Sequence, residues 1–184
     1  MRFSKTAIEG VWIHNPLRFP DSRGTFEEQF RSSTILDEIG RGFEVMQVNQ
    51  SMSNKGAVRG IHWTEGDRGQ AKYVSCVKGS IWDVYVDLRK DSQTFGKWGA
   101  ELLSLKNGKS VLISEGIGHA FLALEEETVV NYLCTSEYEP TVDRTISPLD
   151  KDLAIPFLQI ANENGISELI LSDKDQAGGN FKAI

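Results

Sequence analysis

Short runs of alternating apolar and polar residues, separated by glycine-containing turns, dominate the middle of this chain. The alternation is clearest over residues 81–88, where tryptophan, valine and leucine occupy one face and isoleucine, tyrosine and aspartate occupy the other. A period of two residues is typical of a β-strand. Strand-length runs follow one another as Glu44–Met52, Ala57–Thr64, Ala71–Val77, Ser80–Leu88, Gly99–Leu105, Ser110–Ser114, His119–Leu124 and Thr128–Thr135. Many short strands with tight turns predict an all-β sandwich or barrel.

The first thirty residues contain further strand-like runs. Ile8–Ile13 and Leu17–Phe19 are predicted to pair, which makes His14, at the break between them, a surface residue of a turn. A turn then leads into a run over residues 25–30, which alternates so that one face carries Phe26, Glu28 and Phe30. A carboxylate between two aromatic side chains suits an edge position, or contact with a ligand or a neighbouring subunit.

One short helix is predicted near residues 33–40, because a serine and a threonine start it and a glycine ends it. From Tyr138 onward, prolines and acidic residues interrupt the pattern. This irregular tail is expected to run over the barrel without adding strands. The expected organisation is a single domain, residues 1–184, with an N-terminal arm (1–30), a core (43–136) and a C-terminal segment packed on that core (137–184).

Composition narrows the class of protein. The 184 residues are 40% hydrophobic, enough for one compact core. A formal charge of −6 argues against a general nucleic-acid binder, but it permits a small anionic ligand held by a few cations. Cys76 and Cys134 lie in apolar runs and are interpreted as reduced core thiols. No apolar run approaches the ~20 residues of a membrane span, and no secretory signal follows Met1. We therefore expect a cytoplasmic protein that binds neither membrane nor nucleic acid.

The stretch from Arg59 to Lys72 carries the densest candidate chemistry. It holds an arginine, a histidine and a lysine within fourteen residues, with glycines between them. A histidine can act as base or acid near neutral pH, and the two cations suit an anionic ligand or a developing oxyanion. A core histidine beside two solvated cations is an equally simple interpretation. Arg59 and His62 are three residues apart and would face opposite ways on a regular strand, so both can reach one cavity only if Gly60 allows a bulge.

Several other polar side chains fall on strand faces that a small barrel would fill with apolar residues. Gln47, Asn49 and Ser51 share one face, and Tyr132 lies between Val130 and Cys134 on another. Taken singly, each could be a solvated residue or a strand end. Together with Lys72 and His119 they outnumber what a purely structural barrel needs, and they predict a polar-lined binding site at its mouth.

The order of short motifs resembles one known family. The matching segments are Asp21-x-Arg23-Gly24-x-Phe26-x-Glu28, Gln47-Val-Asn49-x-Ser51, Val58-Arg59-Gly60-Ile-His62, Gln70-Ala-Lys72, Asp83-Val-x-Val-Asp87-Leu-Arg89, Glu115-Gly-x-Gly-His119, Tyr132-Leu-Cys-x-x-x-Tyr138 and Leu171-Ser-Asp-Lys-Asp175. Over residues 11–177 the chain is similar to the dTDP-4-dehydrorhamnose 3,5-epimerase family, in particular its actinobacterial branch. The resemblance implies a cupin-type jelly-roll β-barrel and a homodimer, with the N-terminal strands at the dimer interface.

The resemblance also implies the reaction. The family converts dTDP-4-dehydro-6-deoxy-D-glucose to dTDP-4-dehydro-L-rhamnose by removing and replacing protons at C3 and C5 through an enolate, without cofactor or metal. Metal-binding cupins carry a cluster of histidines, whereas residues 60–64 offer His62 alone and His119 is far along the chain, so a three-histidine metal site is not expected.

The family's catalytic residues carry over onto four positions. His62 matches the base, and Asp175 matches the carboxylate that orients it, with Asp173 as an alternative. Lys72 is the candidate to stabilise the oxyanion. Tyr132 matches the acid that returns a proton from the opposite face of the sugar.

The substrate-binding positions carry over in the same way. Arg59 and Arg23 match residues that hold the diphosphate. Phe26 and Glu28 match a strand that, in the family, reaches the neighbouring subunit's site. The remaining pocket positions are Gln47, Asn49, His119, Tyr138 and Asp143. Trp63 departs from the tyrosine or phenylalanine usual after the histidine, and it is expected to reshape the pocket wall.

Three alternatives stay open. A close relative could invert only one centre of a dTDP-4-keto-6-deoxyhexose for another deoxysugar. A catalytically silent sugar-nucleotide binding module would keep the pocket and lose the chemistry. A metal-dependent cupin would lose activity on chelation. Deuterium incorporation at C3 and C5 separates the first alternative from the 3,5-epimerase.

Overall fold

The computed structural model describes residues 2–66 and 69–184. Its strands are β1 (Phe3–Lys5), β2 (Val11–His14), β3 (Arg18–Asp21), β4 (Gly24–Glu27), β5 (Gln47–Ser53), β6 (Val58–Thr64), β7 (Lys72–Lys78), β8 (Ser80–Asp87), β9 (Trp98–Ser104), β10 (Ser110–Ile113), β11 (Ile117–Ala123), β12 (Thr128–Cys134) and β13 (Asp143–Thr145). The helices are α1 (Ser32–Ile39), α2 (Phe157–Glu163) and α3 (Asp173–Gln176), followed by a 3₁₀ turn at Phe181–Ala183. The strands predicted between residues 44 and 135 all form, with bounds that shift by at most three residues.

Two sheets face each other as a jelly-roll sandwich. One has the order β1-β2-β10-β7-β12-β5 and the other β13-β6-β11-β8-β9. The all-β jelly-roll prediction is confirmed, although the sheets do not close into a continuous barrel. The gap between them is filled by side chains from both sheets, including Val74, Val111 and Ile81.

Strand β8 contributes side chains to two apolar clusters, one on each of its faces. Its isoleucine and Tyr85 point into the space between the sheets. Val84 and Val86, on the opposite face, belong to a second apolar cluster. Both faces of this strand are therefore buried, the outer one beneath the C-terminal segment.

The prediction that the C-terminal segment adds no strand is wrong. Strand β13 pairs antiparallel with β6, Thr145 opposite His62, and so covers an edge whose backbone groups would otherwise lack partners. Three residues between prolines are too short to show a two-residue period. Helix α2 then buries Phe157 completely, its ring 5.2 Å from that of Trp82. Burial of such a side chain contributes about 1.5–3 kcal/mol.

The N-terminal pairing also differs from the prediction. Strand β2 pairs with β1 and β10, whereas β3 and β4 form a separate two-stranded hairpin. The strand predicted over residues 25–30 ends at Glu27. The chain then turns inward, so Phe30 packs against Phe43 and Tyr73 while Phe26 stays exposed. Phe26 and Phe30 therefore do not share a face.

His14 is not a surface residue. It is buried, and its Nδ1 lies 2.6 Å from the hydroxyl of Tyr73, which in turn donates to the backbone carbonyl of Gln29. Burial, with a further contribution from Arg2, lowers the pKa of His14 to about 4. The strand pairing that brings Tyr73 beside β2 is long-range, so no local pattern around Asn15-Pro16 could reveal it.

Helix α1 forms as predicted. It starts after Arg31 and ends at Gly40, whose φ of 82° is left-handed and whose N–H donates to the carbonyl of Leu36. Thr34 and Ile35 are its buried residues. Within the described part of the chain, no helix is long and apolar enough to cross a membrane.

Candidate active site

A cavity of about 300 Å³ opens between the two sheets. Strands of both sheets and the C-terminal segment line it with Asn49, Gln50, Ser51, Arg59, His62, Gln70, Lys72, His119, Phe121, Tyr132, Cys134, Tyr138, Asp143 and Lys174. Most of the site residues predicted from sequence are therefore brought together in one place.

An irregularity in β6 places both Arg59 and His62 in this cavity. The register between β11 and β6 shifts between His119 and Phe121. Gly60 has a φ of 118°, and a Cβ there would lie 2.4 Å from the carbonyl oxygen of His119. Only glycine fits this conformation and this approach. The irregular strand required by the three-residue spacing is thus present.

His62 is held by a carboxylate from the C-terminal segment. Its Nε2 lies 2.6 Å from Oδ1 of Asp175, whose side chain is almost fully buried. Burial would raise the pKa of Asp175, but the hydrogen bond and charge of His62 outweigh it and hold that pKa below its usual range. Asp173 is exposed, so the contact belongs to Asp175. Since Nδ1 has no hydrogen bond within the described residues, it is the ring nitrogen free to take a proton.

Tyr132 reaches the cavity from β12, in the opposite sheet. Its hydroxyl lies 3.2 Å from Oγ of Ser51 on the neighbouring strand β5. Burial raises the pKa of Tyr132, so the phenol holds its proton at neutral pH. An acid and a base on facing sheets can act on opposite faces of one bound ring.

Lys72 lies at the start of β7, directly opposite Cys134 in the sheet register. Its ammonium has no hydrogen bond or ion pair with any of the residues described. Burial lowers the pKa of Lys72, and nearby Cys134 and Asp143 partly offset this. A desolvated, unpaired cation facing a cavity is suited to stabilise a negative charge that develops there.

The mouth of the cavity is built from hydrogen-bonded polar residues. Gln47 donates to Oδ1 of Asn49 at 2.8 Å and accepts from the backbone N–H of Tyr138 at 2.8 Å. Asp143 accepts from Lys174 at 2.7 Å. Gln47 thus supports the rim from behind, whereas the other four residues line the cavity.

Three predicted substrate-binding residues do not reach the cavity of their own chain. Arg23 lies at the tip of the β3–β4 hairpin with 88% of its side chain exposed, and it pairs with Asp21. Phe26, on the same hairpin, is 71% exposed. Glu28 forms ion pairs with Arg2 and Arg31 at the base of the arm. Their proposed roles require a second subunit.

Trp63 does not reshape the pocket wall. It is buried in the outer apolar cluster with Ile146 and Leu153, on the face of β6 turned away from His62. Its bulk is therefore accommodated by the C-terminal segment.

The sequence-based site misses some cavity residues, namely Gln50, Gln70, Phe121, Cys134 and Lys174. Lys174 lies between Asp173 and Asp175 in the tail, and only the packing of α3 against β6 brings it to the mouth. Within the described residues, no three His, Cys, Asp or Glu side chains cluster as metal ligands would.

Comparison with known proteins gives a consistent result. A family model described as dTDP-4-dehydrorhamnose 3,5-epimerase matches residues 5–183. The dTDP-4-dehydrorhamnose 3,5-epimerase of Mycolicibacterium smegmatis is 42% identical over 95% of this chain and 83% of its own length. The dTDP-4-dehydro-6-deoxyglucose 3-epimerase of Streptomyces bikiniensis is 40% identical over 92% of this chain and 84% of its own.

Solved structures agree with the family match. The rmlC epimerase of Mycobacterium tuberculosis superposes with a TM-score of 0.93 at 37% identity, covering 100% of this chain and 90% of that one. With its jelly-roll sandwich, its paired His62 and Asp175 and its match over nearly the whole length, this chain belongs to the dTDP-4-dehydrorhamnose 3,5-epimerase family.

Proposed function

We propose that this chain epimerises a dTDP-linked 4-keto-6-deoxyhexose at C3 and C5, converting dTDP-4-dehydro-6-deoxy-D-glucose to dTDP-4-dehydro-L-rhamnose. The observation that carries the proposal is the placement of His62 and Tyr132 on facing sheets of one cavity, with Lys72 beside them. A base and an acid on opposite sides of a ring are what inversion needs, because a proton returned from the side it left restores the original centre.

The 4-keto group makes the protons on both neighbouring carbons removable. Nδ1 of His62 takes a proton while Asp175 stabilises the resulting imidazolium, and the electron pair of the C–H bond moves to form an enolate. The ammonium of Lys72 stabilises the enolate oxygen. The phenol of Tyr132 then gives its proton to the opposite face of the carbon, and the ketone re-forms. Proton exchange with solvent then returns His62 to the neutral imidazole and Tyr132 to the phenol, and a second round at the other carbon completes the reaction.

The nucleotide end of the substrate requires cations. Arg59 lines the cavity with its guanidinium held by Ser53 and by the backbone carbonyl of Met52. A forked guanidinium in a fixed orientation suits paired diphosphate oxygens. The thymidine is expected at the mouth, near Tyr138 and Asn49.

A homodimer is part of the proposal. The β3–β4 hairpin carries Arg23 and the exposed rings of Phe19 and Phe26. None of these three side chains lines the cavity of its own chain. Strand β5, at the edge of its sheet, exposes Val48 and Met52. Such apolar surface beside an open strand edge is suited to a second copy whose hairpin supplies Arg23 and Phe26 in trans.

Deuterium incorporation into the sugar tests the proposal. The enzyme is incubated with dTDP-4-keto-6-deoxyglucose in D₂O, and deuterium at C3 and C5 is read by NMR. We expect label at both carbons. Label at one carbon assigns a single-centre epimerase, and no label overturns the proposal.

A single-centre 3-epimerase is the second candidate. The Streptomyces bikiniensis relative bears that name at 40% identity, against 42% for the 3,5-epimerase of Mycolicibacterium smegmatis. The two percentages do not separate the candidates, and the cavity supplies one base and one acid that serve either reaction.

Catalysis without metal, in the cytoplasm, completes the proposal. Two free buried cysteines, Cys76 and Cys134, fit a reducing compartment. Activity is expected to survive EDTA treatment, and loss of activity restored by a divalent metal would contradict this. Cell fractionation tests the location.

A further inference from the structure

A second histidine–aspartate pair, which the proposed proton transfers do not use, adjoins the cavity through His119. Nε2 of His119, on β11, lies 2.7 Å from Oδ1 of Asp83 on the neighbouring strand β8. His119 is paired with His62 across the β11–β6 ladder, and its ring lies 6.0 Å from that of Tyr132. The second pair is therefore directly beside both the base and the acid.

Asp83 has an environment that disfavours a lone negative charge. Its side chain is completely inaccessible, and Oδ2 has no hydrogen bond within the described residues. Burial raises the pKa of Asp83, against the opposing effect of His119. Glu101, directly opposite on β9, adds a further negative charge nearby, partly countered by its ion pair with Lys109. Isolated buried carboxylates take up a proton under such conditions.

The pair therefore favours the state that carries no net charge. A neutral pair holds two protons, shared among Nδ1, Nε2 and the carboxyl. Two arrangements are possible, imidazolium with carboxylate or imidazole with carboxylic acid. In both, one proton lies between Nε2 and Asp83, and the other is bonded to Nδ1. Removing it would leave a net negative charge in the interior.

We infer that Asp83 is a positioning residue that keeps a proton on Nδ1 of His119, so that His119 offers an N–H donor to a sugar oxygen between His62 and Tyr132. This inference rests on the proposed function. Within the described residues, Nδ1 of His119 has no hydrogen-bond partner, and the residue lines the cavity. The donor adds to the ammonium of Lys72 in stabilising the enolate.

The charged and titratable groups around His119 are few. Among the described residues, besides Asp83, they are Tyr85 opposite His119 on β8, His62 and Arg59 on β6, Tyr132 on β12 and Glu101 on β9. The two cavity-facing groups closest to it, His62 and the protonated phenol, carry no negative charge. The donors among them are hydrogen-bonded elsewhere, Arg59 to Ser53 and Met52 and Tyr132 to Ser51, so within the described residues none of them is bonded to Nδ1 of His119.

Long-range ¹⁵N NMR of the resting enzyme tests the inference directly. His119 signals are identified by their loss in His119→Gln. We expect Nδ1 to carry a proton throughout pH 6–8, and an unprotonated Nδ1 at pH 7 overturns the inference. This measurement needs no turnover, so it stands apart from the deuterium experiment. A wild-type enzyme that takes up no deuterium contradicts the proposed function and leaves the NMR result unaffected.

A pair of substitutions adds a kinetic test. Asp83→Asn keeps the size and removes the carboxylate. Asp87→Asn is the matched control, because Asp87 is equally buried on the same face of β8 but bonds to Arg89, Ser92 and Thr94 instead. The control should keep the wild-type Nδ1 signal and kcat per folded molecule.

In Asp83→Asn, kcat should follow the state of Nδ1 while KM changes little. If the amide oxygen receives Nε2–H and Nδ1 loses its proton, kcat falls by about 100-fold, as for other lost oxyanion donors. If the amide N–H binds Nε2 and Nδ1 keeps its proton, kcat stays within about threefold. A change in kcat without a change at Nδ1, or the reverse, overturns the inference.

Discussion

Three histidines with the same intrinsic chemistry have different environments in this protein. His62 is open to the cavity and held by Asp175. His119 is buried against Asp83. His14 is buried away from the cavity, against the hydroxyl of Tyr73. The environment of each ring, and not the residue type, decides which of them can exchange protons with a substrate.

Replacing His62 tests the base. His62→Ala is expected to lower deuterium exchange at C3 and C5 by about 10²–10⁴-fold, because the substitution removes the imidazole whose free Nδ1 takes the proton. NMR of the substrate in D₂O measures the rate. His14→Gln, outside the cavity, serves as the control. Per folded molecule, its exchange rate should equal that of the wild type. Undiminished exchange in His62→Ala would show that another group is the base.

Replacing Tyr132 separates proton removal from proton return. Tyr132→Phe keeps the ring and loses the phenolic proton, so epimer formation should fall by about 10²–10⁴-fold. His62 can still remove a proton and return one from solvent to the same face. Deuterium should therefore enter the unconverted substrate faster than epimer appears, as followed by NMR and chromatography. Epimer formation at the wild-type rate would assign the acid elsewhere.

At the scale of elements, β6 and β8 determine the geometry. The irregularity at Gly60 turns both Arg59 and His62 into the cavity. Strand β8 is regular, and its inner face delivers Asp83 to the cavity region and Asp87 to the end of the sheet. Asp87 gathers Arg89, Ser92 and Thr94 into the turn that follows, so the end of the strand depends on one carboxylate.

The contribution of Asp87 to the free energy of unfolding should depend on pH. Burial would raise its pKa, but hydrogen bonds from Arg89, Ser92 and Thr94 outweigh burial and lower it from 3.8 to about 2. Because the folded pKa lies below the unfolded one, the stabilisation is complete above pH 4 and is lost as the pH falls toward 2. It amounts to about 2 kcal/mol. Urea unfolding from pH 2 to 6 should show a wild-type advantage over Asp87→Asn that shrinks below pH 4, and a constant gap would contradict this.

At the scale of the whole molecule, distant segments complete one site. The C-terminal segment supplies Asp175 and Lys174 to a cavity built by the middle of the chain. The N-terminal hairpin is not part of the lining of that cavity, and it exposes Arg23 and Phe26. A site completed by a second copy would be lost on dissociation.

Refolding two impaired variants together tests whether two subunits contribute residues to one site. Arg23→Ala and His62→Ala should each be impaired, yet a hybrid dimer contains one site with both residues intact. After unfolding and refolding together, random pairing should restore about a quarter of the wild-type rate. His62→Ala mixed with Tyr132→Phe is the control and should restore nothing, because each defect stays in its own chain's cavity. No rescue in the first mixture would place Arg23 outside the partner's site.

A feature of the fold or the site could be predicted from sequence when it depends on residues that are close together in the chain. The strands of the core follow from their two-residue period and the short helix from its glycine stop, both properties of adjacent residues. The catalytic positions were identified through the order of family motifs, and eight of the predicted site residues line one cavity. Gly60 could be singled out because a spacing of three on a strand required an irregularity.

Tertiary structure alone decided the rest. The burial of His14 against Tyr73, the edge strand β13 and the choice of Asp175 over Asp173 arise from contacts between residues far apart in sequence. The pairing of His119 with Asp83 likewise depends on two strands lying side by side in the register of the sheet. Local sequence sets what each segment can form, but which carboxylate meets which imidazole is fixed only when the sheets and tail pack together.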